Sequence, residues 1–577
     1  MNSNTLFDNN HNSTELPKEG IFSEVKLKGE EIPKILNLPI QRLIKKYQES
    51  YQPPRKGELL TIHVDEIASK IANFYEKIRK IIDWKEENLL RRSAVERILK
   101  RSMIAEISNL QFIFKVNIEA VAEPLVLELI RGGHLPNDEI PEEKISEVDK
   151  IVKKYFYLLR NAPLDSFGPT FPLKLKVNFY DWIMEVAACE IEEVLAPPTR
   201  ENALIESMTV LMNERIKLNT AEKMTVEEKL VQTYIAVHRT LFDLDDAIIT
   251  YHLLKYENPF WTNPSEEFLK EAAKNIFKIK EEIDRELKQP LNKKFFNICE
   301  RTDTVFTLLD DVLSSFKSEP EKIPQIFGNR ENLSSLVTQF YQKRFKTLKR
   351  RLFKLAVFST LSVFVSNWFT FFIVEVPLAS LFYEGFNFLA ATVDFLMPTL
   401  FMFFLVSIIK PPPPSNQNKV IELFFRFVYE GESKDIYEIK PKKKKRILTN
   451  LIIASFYIIA ACLFFGTMAY IFYIGQIPVT SIIFNTLAIA INIFAALVIR
   501  NKSREITVEE KTGFWEFLLD IFSVPSAEFG SFFANKWREY NVISVFFNVV
   551  IEMPFVTVIE FVEDWRNFLK EKKADIH

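Results

Sequence analysis

Between residue 51 and about residue 345, apolar positions recur at steps of three and four, with charged residues between them. That period lines one face of a helix, so the stretch predicts a succession of amphipathic helices. It is interrupted at 135–141, 162–172, 196–199, 258–264 and 318–330, each time by Pro, Gly or Asn, the residues that punctuate helices. No repeat of fixed length runs through it. The expected unit over 51–345 is a cytoplasmic α-helical bundle or solenoid of roughly eight to ten helices. Residues 1–50 read as a mobile lead with one short amphipathic piece.

Beyond residue 350 the pattern changes. Four apolar runs follow, at 355–374, 386–409, 451–473 and 481–499. A hydrocarbon core of about 30 Å takes about 20 apolar residues in a helix, so four transmembrane helices are expected within 346–505. Lys and Arg crowd the segment before the first run, the 410–446 loop and the segment after the fourth, and are missing from 375–385 and 475–480. Basic loops stay cytoplasmic. Both termini and the 410–446 loop are therefore expected on that side of a multi-pass protein, in the plasma (inner) membrane of a prokaryote. The helix beginning near Glu331 is expected to run on into the first span, and Pro411–Pro414 to end the second. Lys442, Lys443, Lys444, Lys445 and Arg446, beside the third run, are candidates for anionic lipid headgroups, although a topology signal alone would explain them.

The tail, 506–577, alternates Phe and Trp with charged residues and reads as amphipathic helices on or under the membrane surface. Trp515, Trp537 and Trp565 suit the headgroup interface. The stretch 542–562 is apolar, but a span there would bury Glu552 and Glu560, so a surface position is expected.

Composition sharpens this division. The mean hydropathy of +0.00 averages a charged helical half and an apolar half. With 13 Gly in 577 residues, the chain is poor in the residue that wraps phosphates and turns at positive φ. No glycine falls in a GxGxxG, GxxxxGK or GxSxG pattern. A net charge of -2 gives no global argument for nucleic acid. Cys189, Cys299 and Cys462 are too scattered for a disulfide framework or zinc ribbon. No signal-peptide h-region is present near Met1.

Candidate chemistry is sparse. Asp394 is the one acid inside an apolar run, with Pro398 one turn later. A carboxylate in a span is costly and by default functional, so the pair is a transport candidate, with Asn367, Asn485 and Asn492 on other spans as neighbours. The alternative role is a hydrogen-bonded contact holding helices together. His238, Asp245 and His252, spaced by seven, with Asp246 beside them, would share one face of a helix over 227–256. They are weak metal candidates only, because seven residues separate side chains by about 10.5 Å along an axis. Glu190, Glu192 and Glu193 read as a solvated acidic face, and Arg91, Arg92, Arg97, Lys100 and Arg101 as a solvated basic one.

The sequence thus predicts an all-α, non-enzymatic integral membrane protein without cofactor: a helical scaffold or partner-docking domain anchored at the cytoplasmic face. Its expected partners are the lipid bilayer, anionic lipids included, and a second copy or another protein, but no nucleic acid. The alternatives are a small oligomeric transporter or channel using Asp394, and a membrane-anchored metal-dependent enzyme.

Overall fold

Among the described residues almost every regular element is a helix, and the helices share two large hydrophobic interiors and a smaller third one around Phe472 and Ile489. The structure, a computed structural model, describes residues 33, 35–51, 60–64, 70, 87–104, 121–163, 173–219, 224–382, 388–432, 434–440, 447–475, 477, 479–508, 520–521, 523–528, 530–532 and 565. The N-terminal part runs through α1 (Leu38–Ser50), α2 (Glu87–Ile104), α3 (Ala122–Arg131), α4 (Glu143–Asn161), α5 (Leu173–Leu195) and α6 (Thr199–Arg215). It continues through the short strand β1 (Ile216–Leu218), α7 (Val226–Leu241), α8 (Asp246–Glu257), α9 (Glu266–Leu287), α10 (Asn292–Glu300), α11 (Asp303–Ser314) and α12 (Ile323–Gly328).

Helices α2 to α5, α8 and α9 enclose the first interior, around residues such as Leu125, Ile183 and Ile276. Helices α1, α6, α7 and α10 to α12 enclose the second, around Leu43, Met208, Phe306 and Phe327. The amphipathic piece foreseen in the lead is α1. Its Ile40, Leu43, Ile44 and Tyr47 follow the helical period and are buried, so this part of the lead is a packed element of the second interior.

The single helix expected over 227–256 is two. Thr225 and Glu228 form a capping box that starts α7, and the chain turns at Asp243, whose φ is 48°. Asp245 then caps α8, its carboxylate accepting from the Ile248 N–H at 3.2 Å. Asp tolerates the left-handed region because its short polar side chain bonds locally, and the apolar period runs through the turn unbroken, so periodicity alone hides the break.

Helix α13 (Arg330–Thr370) joins the two halves of the protein. Forty-one residues at 1.5 Å each make it about 60 Å long. Its first part buries Leu333, Val337, Tyr341, Leu348 and Leu352 in the second interior. Its second part leaves Phe358, Leu361, Trp368 and Phe369 exposed. A π-helical turn (Phe371–Glu375) leads to α14 (Val376–Phe382), then α15 (Phe388–Ser407), α16 (Ser415–Val428), strand β2 (Tyr437–Ile439), α17 (Ile447–Ile474) and α18 (Val479–Ser503).

Among the described residues three helices are long and apolar enough to cross a membrane: Arg330–Glu375, Ala454–Ile474 and Ser481–Ser503. They contain the first and fourth runs read from the sequence and most of the third. The second run coincides with α15, whose described apolar stretch, Phe395–Ser407, is shorter than a span requires. Among the described residues three candidate spans are therefore supported, and the fourth is not confirmed.

The 410–446 loop turns back into the N-terminal part. Helix α16 buries Val420, Phe424 and Phe427 in the second interior, and β2 pairs in parallel with β1, Ile216 opposite Tyr437. Asn37 donates to the carbonyls of Phe427 (2.7 Å) and Tyr429 (3.2 Å). The buried Arg215 donates to the Arg426 carbonyl at 2.9 Å and lies 4.1 Å from the Phe427 ring centroid. Asn416 donates to the Tyr341 hydroxyl (2.9 Å) and the Ile506 carbonyl (2.7 Å), so one amide ties α16, α13 and the end of α18 together.

Candidate functional site

In the apolar region the polar contacts gather on α15. Proline has no N–H for the carbonyl one turn earlier, so the helix ladder is interrupted at the buried Pro398. The buried Asn492 of α18 donates to the Pro398 carbonyl at 3.0 Å, and the buried Asn367 of α13 donates to the Phe395 carbonyl. Two neighbouring helices thus each give α15 one amide, three residues apart, an arrangement that holds packed helices together in an apolar medium. Asn485 instead donates within its own helix, to the Ser481 carbonyl at 3.1 Å. Asp394 lies in α15, but its side chain is outside the described residues.

In the N-terminal part the turn at Asp243 redirects the chain between α7 and α8. It brings the His238 and His252 rings to 4.9 Å between centroids, where one straight helix would hold them about 21 Å apart. The Tyr234 ring stands edge-on to His238 at 4.2 Å. His238 is completely buried, and neither ring nitrogen has a hydrogen-bond partner. Burial pushes His238 well below the usual histidine range and His252 down to about 3, so both rings are neutral. The two aspartates go elsewhere: Asp245 pairs with the buried Arg92, and Asp246 with Arg239 at 2.7 Å. The four residues therefore do not converge on one point.

Most residues of the acidic and basic faces expected in solvent are paired instead, chiefly with partners outside those two clusters. Glu190 is buried and accepts from Lys154 Nζ (2.6 Å) and the Tyr155 hydroxyl (2.6 Å). Lys154 also donates to the Trp261 carbonyl at 2.9 Å, and the Trp261 indole N–H to the Tyr155 hydroxyl at 2.9 Å. Burial raises the Glu190 carboxyl and lowers the Lys154 ammonium, while their mutual attraction opposes both shifts. Glu193 meets Lys255 at 2.7 Å, Glu192 meets Arg91 at 4.0 Å, Arg101 pairs with Glu128, and Lys100 meets Asp181 at 2.7 Å. The signal was present in the sequence. Glu190 continues the stripe Ile183, Val186, Ala187, and Lys154 sits between Ile151 and Leu158 on the buried side of α4.

Beside this layer a cleft of about 490 Å³ opens between the end of α5, the start of α6 and the α7–α8 turn. Its walls include Arg91, Glu192, Glu193, Arg200, Tyr251 and His252. Burial, only partly offset by Arg91 and Arg92, holds the Glu192 carboxyl up at about 7. The cleft offers cations, a carboxyl that titrates near neutrality and a neutral imidazole, a lining suited to a small polar ligand. Among the described residues no three His, Cys, Asp or Glu side chains are grouped to hold a metal ion.

Of the other residues singled out by sequence, Trp565 is described and exposed. Trp515, Trp537 and the Lys442 to Arg446 run lie outside the described residues. Comparison of the chain with protein-family models, with curated proteins and with solved structures finds no match.

Proposed function

We propose that this is a non-enzymatic integral membrane protein whose helical domain is a scaffold, holding a partner or a second copy of the chain at the cytoplasmic face. The observation that carries the reading is the junction of its two halves. One helix, α13, is shared by the cytoplasmic interior and the apolar region, and the loop helix α16 returns into the same interior through Phe424, Phe427 and Asn416. A domain joined to its anchor by a flexible linker would move freely; this one is fixed by packing, which suits a part that holds something in place. In the full reading the chain is multi-pass, α15 completes a set of four spans in the folded bundle, both termini are cytoplasmic, the membrane is a plasma membrane, and the tail lies along the inner surface.

The test uses the full chain in vesicles. Cross-linking through cysteines introduced on the cytoplasmic domain is expected to trap a defined homo-oligomer or one stoichiometric partner. A chain that stays monomeric and brings down nothing specific would remove the scaffold reading. The second reading, a small oligomeric transporter or channel, draws on the amides gathered around the Asp394–Pro398 turn. It requires an ion- or pH-dependent flux in the same vesicles that Asp394→Asn abolishes without altering the thermal unfolding midpoint.

A further inference from the structure

From the middle of α13 onward, one face of the helix passes from basic to largely apolar. Lys346 and Lys349 are followed at helical spacing by Phe353, Val357, Thr360 and Phe364. From Lys349 to Phe364 this face forms one wall of a groove of about 640 Å³, and Thr399, Phe403, Val406 and Pro411, with the end of α15, form the other. The floor is closed by Leu352 and Ile499. Fifteen steps at 1.5 Å make the groove about 22 Å long. One leaflet of a bilayer, headgroups included, is about 20–22 Å deep.

The charges at its mouth are arranged asymmetrically. On the side of α13 that faces the domain, Arg344 pairs with Asp311, and Arg351 meets Glu505 at 3.1 Å. Lys346, Lys349, Arg350 and Lys410 are exposed, and none has an acidic partner among the described residues. Lys410 lies between Ile409 and Pro411, two residues of the groove wall. A cationic mouth over an apolar trough one leaflet deep is complementary to a molecule with an anionic head and an apolar tail.

We infer that this groove binds one anionic phospholipid of the adjacent leaflet, its phosphate at Lys349 and Lys346 and an acyl chain between α13 and α15. The site rests on the reading that this region lies in a membrane. A lipid seated there lines the α13–α15 contact, next to the junction that fixes the cytoplasmic domain, so its headgroup adds to what holds the domain at the surface.

The experiment reconstitutes the full chain in vesicles of equimolar phosphatidylglycerol and phosphatidylcholine. It then extracts the protein gently and counts retained lipids by native mass spectrometry. The expected result is phosphatidylglycerol retained in preference to phosphatidylcholine. Lys349→Gln and Lys346→Gln each lower that preference about fivefold. Ala356→Trp or Val357→Trp, which fill the groove and leave every charge in place, abolish retention. An absent preference overturns the proposal. So does a preference that the lysine variants reduce but both tryptophan variants leave intact, since that is attraction to a basic surface. A tryptophan variant that changes oligomer size rather than lipid content also overturns it, because a second copy is then the occupant. Carbonate washing separates the two levels: a chain stripped from the vesicles removes the membrane reading itself, and one that resists the wash but shows no preference removes only the lipid site.

Discussion

The two halves of this protein use different polar contacts where their helices meet, although the apolar half also buries one carboxyl group, Glu375, at the end of its first helix. In the N-terminal part charges lie in or beside the interior as pairs: Lys154 with Glu190, both buried, Arg92, buried, with the more exposed Asp245, and Lys255 with Glu193, both half-buried. Among the described side chains of the apolar region, the contacts between helices at Pro398 and Phe395 are neutral, each an asparagine amide on a backbone carbonyl. The cost of taking an ion out of water accounts for the difference. Near a cleft that solvent enters, a carboxylate and an ammonium with several hydrogen bonds offset much of that cost. Where lipid is the surrounding medium, a neutral amide satisfies a carbonyl without bringing a charge.

The sharpest way to break the comparison is Glu190→Ala. It leaves Lys154 buried without its counter-ion and is expected to destabilise the full chain by about 3–5 kcal/mol, read as the loss in denaturant or thermal unfolding in detergent. The double change Lys154→Met with Glu190→Leu removes both charges at similar volume and is expected to recover most of that loss. If the single and double variants are equally destabilised, shape rather than charge holds this layer.

A smaller effect of opposite sign is expected at His238. A fully buried ring with two unpartnered nitrogens costs about 1–3 kcal/mol, so His238→Leu is expected to stabilise the domain by that order at pH 7. The gain grows in acid. The folded state holds His238 well below its ordinary 6.5, so below that pH the unfolded chain takes up a proton that the native ring refuses. Stability from this group is complete above about 6.5 and is lost as pH falls. The difference between variant and wild type therefore widens by up to about 1.4 kcal/mol per pH unit below 6.5. Glu192 and Glu257, both raised to about 7 by burial, act in the opposite direction. They weaken the native state as pH rises from about 4.5 to 7, in variant and wild type alike, and cancel from the difference. A difference that stays flat between pH 7 and 4 would mean that the ring is reached by water or protonated in the fold.

Much of the fold was legible in the sequence. The helical period identified the class, and the unbroken run from Glu331 into the first span is realised in α13. The charge pattern was legible only as composition. Glu190 reads as surface because it stands in a run of acids, yet it also occupies an apolar stripe, and the stripe prevails. The turn at 242–245 carries no Gly or Pro, so nothing local distinguished it from continuing helix. Asp243 at positive φ and the cap by Asp245 are three-dimensional facts. The closeness of His238 and His252 follows from that turn and was out of reach for the same reason. The groove between α13 and α15 was half legible: the basic-to-apolar stripe is in the sequence, but its opposite wall is not.

The smallest effect tests the neutral side of the comparison. Asn492→Leu keeps the volume, deletes the amide and removes the interhelical donor to the Pro398 carbonyl, which lies inside the helix ladder of α15. Between apolar helices the unfolded reference is also in lipid and also finds partners, so interhelical hydrogen bonds measure about 0.6 kcal/mol on average and rarely above 2. The expected loss is therefore about 0.6–2 kcal/mol, read as a modest fall in the midpoint for denaturation in mixed micelles, and clearly below that of Glu190→Ala. Asn492→Asp places a carboxylate where the amide was and is expected to cost more, about 2.5–3.5 kcal/mol, with the excess shrinking in acid as the carboxyl protonates. If Asn492→Asp is tolerated as well as Asn492→Leu at neutral pH, the node is wet. The contrast between a charged interior and a neutral one would then give way to a polar path through the apolar half, the condition that the transport reading requires.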